Sequence, residues 1–165
     1  MYEWLVYIHV LATFAFLLTH GVSSVVALRL RGQRDPALAR AWMLIYYDNG
    51  IYYGALYGSL LVLLLTGIIS AFMGRWWGHG WIWLSLALLI GIIVSMTFIG
   101  AMHYTKVRKA LGLPYLERWE AQPAIDPAPL EEIAALLANS PAITLAVIGF
   151  GGIAVILWLM MFKPF

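Results

Sequence analysis

The sequence predicts an all-α fold: a bundle of four transmembrane helices, with both termini on the outer side. Three observations predict it. The 165-residue chain is 63% hydrophobic and 11% charged, whereas soluble domains run nearer half apolar and about a quarter charged. All its Asp, Glu, Lys and Arg fall outside four stretches, Trp4–Leu28, Asn49–Gly74, Trp76–Thr105 and Ile133–Phe162. Each stretch has at least 25 residues, and a helix crosses a bilayer core in about 20. A backbone in lipid must satisfy its own hydrogen bonds, so each stretch reads as a helix. Spans follow at about 3–28, 50–73, 81–105 and 141–162. A soluble bundle would need polar outer faces, and these segments carry none.

Span one is a retained crossing. A cleaved signal has basic residues before a short apolar core, but here Glu3 precedes the core and Arg29, Arg31 and Arg34 follow it. Eight Lys and Arg fall in the 29–40 and 106–118 connections, against Arg75 and Lys163 on the opposite side. The positive-inside rule then puts both termini outside and both long connections in the cytoplasm. Span two carries Gly50, Gly54 and Gly58, small residues at a spacing that lets helices approach closely. Ala142, Ala146 and Gly149 do the same in span four.

Trp76, Trp77, Trp81 and Trp83 crowd the outer turn, with Tyr2, Trp4, Tyr7 and Trp158 at similar depth. Trp42, Tyr46, Tyr47, Tyr52 and Tyr53 mark the inner boundary. The pattern fits an anchoring belt, and a surface for stacking quinone or pigment is the alternative. In the 106–140 connection Gly112 and Pro114 stop the helix running on from span three. Asp126 and Pro127 open a short surface helix through Glu131, Glu132, Ile133 and Leu136, with Asp126 as its N-cap. Asn139-Ser140-Pro141 restarts the chain into span four.

With no cysteine, the chain has no disulfide, zinc ribbon, thiolate-held cluster or cysteine nucleophile. Ten scattered bases make no nucleic-acid surface, and no phosphate loop, hydrolytic triad or zinc-hydrolase motif occurs. The chemistry left rests on the histidines. His9 and His20 are eleven residues apart, about 20° from a whole number of turns and roughly 16 Å in rise. With Thr13 and Ser24 they form one weakly polar stripe, which belongs inside the bundle. His103 lies near the inner end of span three. Counted from the outer ends, it is about five residues, or roughly 7 Å, deeper than His20. Axial ligation of one b-type heme by His20 and His103 is therefore one reading, with His9 and the turn residue His79 as a second, outer site. The other reading is plain: each imidazole donates a hydrogen bond to a neighbouring helix. Copper also suits imidazole, but Met96, Met102, Met160 and Met161 form no evident ligand cluster.

The opening Trp4-Leu-Val-Tyr-Ile-His9-Val-Leu-Ala with its basic exit at Arg29, the Leu65-Thr66-Gly67 signature, the Trp-rich turn and Trp83-Leu84 resemble bacterial CopD-like membrane proteins. That group holds copper-resistance proteins, the membrane-bound protoporphyrinogen oxidase and uncharacterised families. The resemblance covers about residues 1–110. It implies a helical bundle in which His9 touches heme, porphyrin or metal, and it assigns no reaction. Two function classes stand. One is an electron-transfer subunit with heme on His9, His20 and His103, working between quinone and a partner. The other is a cofactor-free accessory subunit of a larger respiratory or photosynthetic complex. Copper or porphyrin handling is a third.

Overall fold

A computed structural model describes residues 1–47, 50–117 and 120–165, with backbone alone at 46, 47 and 50–53. The inner aromatic positions Tyr46, Tyr47, Tyr52 and Tyr53, the side Gly50 presents, and Arg118 lie outside what it describes. The described residues are mostly helical, and among them four helical stretches are long and apolar enough to cross a membrane. Span one is α1 (Tyr2–Leu30), followed by α2 (Pro36–Tyr47), and span two is α3 (Gly50–Met73). Span three joins α4 (Gly80–Ser95), a π-helical segment (Met96–Ala101) and α5 (Met102–Ala110). A short antiparallel strand pair, β1 (Tyr115–Glu117) and β2 (Glu120–Gln122), precedes α6 (Leu130–Ala138). Span four joins α7 (Ala142–Ala146), a second π-helical segment (Val147–Gly151) and α8 (Gly152–Phe162).

The helix α2 falls where the sequence read only a loop. Asp35 starts it, its carboxylate accepting the Ala37 N–H at 2.9 Å, and Pro36 occupies the first turn, where no N–H is needed. Gly112 ends α5 as expected, at φ +66°, a backbone state that suits glycine. The surface helix forms, but Pro129 is its N-cap, so Asp126 does not start it as the sequence predicted. Two prolines, Pro127 and Pro129, keep 126–129 extended and delay the first helical turn.

The exposed surface of the spans is apolar, with Phe14, Leu18, Leu61, Phe72, Ile90 and Phe98 all outward. Lipid is the solvent that such a surface suits. Several hydroxyls within the spans bond back to their own helix, Thr13 to the His9 carbonyl at 2.8 Å, Ser85 to Trp81 at 2.7 Å and Thr97 to Ile93 at 2.9 Å, whereas Ser70 Oγ is buried without a partner. The bonded hydroxyls are thereby satisfied without water. Packing divides the bundle into the pairs α1–α3 and α4–α8, with α7 against α1. At the end that carries the two long connections, α2, α5 and α6 close a core of Val26, Leu30, Met43, Val107, Leu113 and Leu137. At the opposite end, which carries both termini, Trp81 packs with Ala71, Ile82 and Leu159. Trp81 is only 3% exposed, so it is core, whereas Trp4, Trp83 and Trp158 are exposed as belt residues should be.

The small residues do not all serve the bundle. A β-carbon at Gly149 or Gly152 would collide with a neighbouring span, whereas at Gly54 or Gly58 it would meet nothing within 4 Å among the described residues. Gly54 and Gly58 of span two therefore face outward, away from the packing the sequence assigned to them, whereas Gly67 of the same span faces α1.

Candidate functional site

The four histidines occupy four separate environments. His9 is half-buried on α1, facing α3. Its Nδ1 lies 2.9 Å from the Leu63 carbonyl oxygen and 3.0 Å from Thr66 Oγ1. A carbonyl only accepts, so Nδ1 carries the proton and donates. The Thr66 hydroxyl donates in turn to the Val62 carbonyl at 2.6 Å. Gly67 makes room: a β-carbon there would stand 3.0 Å from His9 Cε1. The Thr66-Gly67 pair is thus a seat for one imidazole.

His20 lies on the same stripe but meets other neighbours. It is 8% exposed, stacked on Phe16 at 5.7 Å and edge-on to Phe150 at 5.4 Å. Its Nε2 is buried with no hydrogen-bond partner and abuts Gly149, where any side chain would overlap the ring. The Met96 methyl closes the same spot, 3.0 Å from where a Gly149 β-carbon would be. His20 therefore points between two π-helical segments, one beginning at Met96 and the other containing Gly149. Such segments are rare and recur at functional sites.

His103 is partly buried on α5, edge-on to Tyr104 at 5.2 Å. Its ring meets the Leu136 backbone, and its Nε2 too is buried without a hydrogen-bond partner. The Tyr104 hydroxyl pairs with Ser140 Oγ at 3.0 Å. His79 is exposed in the turn between α3 and α4 with its ring against Trp76 at 5.4 Å. Trp76 Nε1 in turn donates to Tyr2 at 3.3 Å, seven residues before His9. The His79 turn thus lies at the level of Tyr2, about 10 Å above His9.

These positions bear on a heme. Gly149 meets both His20 and Met96, which puts those two at one depth. His103 is seven residues beyond Met96, or about 10 Å deeper. The two imidazoles do not flank one plane, and a porphyrin on His20 Nε2 would have to lie where the Gly149 backbone does. The residues as packed do not fit a heme. Among the described residues no three His, Asp or Glu side chains gather at one point. The His9–His20–His103 grouping read as a cofactor site is three separate helix–helix contacts. Sequence reasoning missed Phe16, Phe150 and the paired π-helical segments. Gly149 was legible as a small packing residue, but nothing local ties it to His20.

The chain matches no protein-family model, no curated protein and no solved structure.

Proposed function

We propose that the chain is an accessory subunit of a larger membrane complex, holding a partner's transmembrane helix against span two. The observation that carries this reading is the outward Gly54–Gly58 face, whose β-carbon positions meet nothing within 4 Å among the described residues. Small residues four apart in a lipid-exposed helix let a second backbone approach closely. Tyr57 and Leu61, on the adjoining surface, are also exposed. In this reading the termini face outward from a bacterial inner membrane, as the Lys and Arg distribution favours. His9 works as an internal connector, its Nδ1 bonded to the Leu63 carbonyl across the α1–α3 seam.

Gly58→Ile tests this. The added side chain enters open space, so the purified chain keeps its thermal midpoint, while co-purification of the partner in mild detergent is lost. A wild-type chain that isolates as a monomer with no partner retained would remove the proposal.

A second reading has one observation in its favour: the buried, partnerless Nε2 atoms of His20 and His103. A b-type heme subunit, or the heme, porphyrin or metal contact implied by the CopD-like resemblance, would draw on them. That reading requires span four to move off His20. A Soret band in the purified protein, lost in His20→Ala, would establish it, and a colourless protein would end it.

A further inference from the structure

Beyond the subunit reading, and independent of it, stands a groove at the C-terminal end of span three. It encloses about 260 Å³ between α5, the extended 125–128 segment and α6. Two lysines, Lys106 and Lys109, line it together with two carboxylates, Asp126 and Glu132. All four are exposed, and among the described residues no ion pair joins them. Lys109 lies over the Tyr115 ring at 5.1 Å, which leaves its ammonium hydrogens for a ligand.

The walls are fixed. The Ala128 N–H donates to the Ala110 carbonyl at 2.9 Å, tying the extended segment to the end of α5. Gly112 lets Pro127 close in: a β-carbon there would stand 2.9 Å from Pro127 Cγ. Ile133 and Leu137 anchor α6 in the core it shares with α2 and α5. The charged side chains therefore project from a scaffold already in place.

Depth identifies the surroundings. Lys106 and Lys109 follow Gly80 by 26 and 29 residues, or about 39 and 44 Å of helix. The hydrocarbon core is about 30 Å thick, and the bilayer with its headgroups about 40–45 Å. The groove thus opens among the headgroups. Met102, one turn before Lys106, and Phe98 before it are exposed and lead from the groove into the hydrocarbon.

We propose that this groove binds a zwitterionic phospholipid headgroup bearing a primary ammonium: Lys106 and Lys109 take the phosphate, and Asp126 and Glu132 take the ammonium. The two signs decide the class. A lipid carrying only phosphate charge places that charge beside two carboxylates, whereas phosphoethanolamine brings a cation for them. The apolar ridge at Met102 and Phe98 commits the site to a lipid, with its acyl chains along span three, rather than to a soluble phosphate ester.

The test uses the full chain purified in mild detergent, with thermal midpoints read after adding phosphatidylethanolamine, phosphatidylglycerol or soluble phosphoethanolamine. Phosphatidylethanolamine is expected to raise the midpoint and to persist as one bound lipid in native mass spectra, with the other two inert. Lys106→Gln with Lys109→Gln abolishes that rise. Asp126→Asn with Glu132→Gln transfers the preference to phosphatidylglycerol, a change that mere loss of packing would not produce. All four substitutions fall on exposed side chains, and helical circular dichroism confirms the fold. Equal response to the two lipids, a rise surviving in the lysine variant, or the same rise with soluble phosphoethanolamine would overturn the proposal.

Discussion

The seam between α1 and α3 and the seam between α1 and span four are built in opposite ways, although one histidine of the same helix serves each. At the first, His9 spends its Nδ1 proton on the Leu63 carbonyl, with Thr66 beside it and Gly67 clearing the approach. At the second, His20 buries an Nε2 without a hydrogen-bond partner against Gly149. The first is a polar connection that suits lipid, where an unsatisfied group is costly. The second holds by shape alone and carries an unsatisfied polar atom at its centre. Two imidazoles eleven residues apart therefore differ in what they contribute: one joins two spans, and the other is tolerated by its surroundings.

The largest effect that distinguishes the seams comes from Gly149→Ala. Its methyl enters the space of the His20 ring and crowds Met96. Overpacking of this kind costs about 1–3 kcal/mol. Unfolding of the detergent-solubilised protein by a denaturing surfactant measures it. His20→Ala introduced first should absorb most of that cost, because the ring is what the methyl meets. An undiminished penalty in the double variant would mean that the seam is held by something other than the ring.

His20→Leu comes next and has the opposite sign. Leucine keeps the apolar contacts with Phe16 and Phe150 and removes the partnerless nitrogen, whose burial costs about 1–3 kcal/mol. The variant should be more stable by about 1 kcal/mol in the same assay. A stabilised variant that also loses a spectroscopic or assembly property would mark His20 as a group kept for function at the expense of stability.

How much of this was legible in the sequence follows from how local each cause is. The crossings were legible because charge is forbidden in hydrocarbon, and the gaps between Leu28, Asn49, Gly74 and Trp76 are written along the chain. Helix α2 announced itself through Asp35-Pro36, a cap and first turn that a search for long apolar stretches passes over. The strand pair 115–117 and 120–122 was not legible, since strands of three residues show no alternation to read. The π-helical segments leave no mark on an apolar pattern, because they differ from α-helix in which carbonyl each N–H reaches. The stripe on α1 correctly placed both imidazoles inside the bundle. It could not say that α3 covers one and span four the other, since Gly149 is 129 residues from His20.

The smallest effect is the most specific. Replacing His9 by Phe and Thr66 by Val keeps the two shapes and removes the polar contact between α1 and α3. Each single change also disturbs a second bond, His9 to Leu63 and Thr66 to Val62, so neither alone reports the pair. A double-mutant cycle isolates it. Interhelical polar contacts in membrane proteins couple by about 0.6 kcal/mol on average, and that is the coupling expected here. The value is small because each group retains a carbonyl when the other is gone: His9 still has Leu63, and Thr66 still has Val62. The same cycle on His20 and Gly149 should give a larger coupling dominated by shape, with no hydrogen bond to lose. Equal couplings at the two seams would mean that the His9 contact is also a matter of fit, with Gly67 rather than Thr66 deciding it.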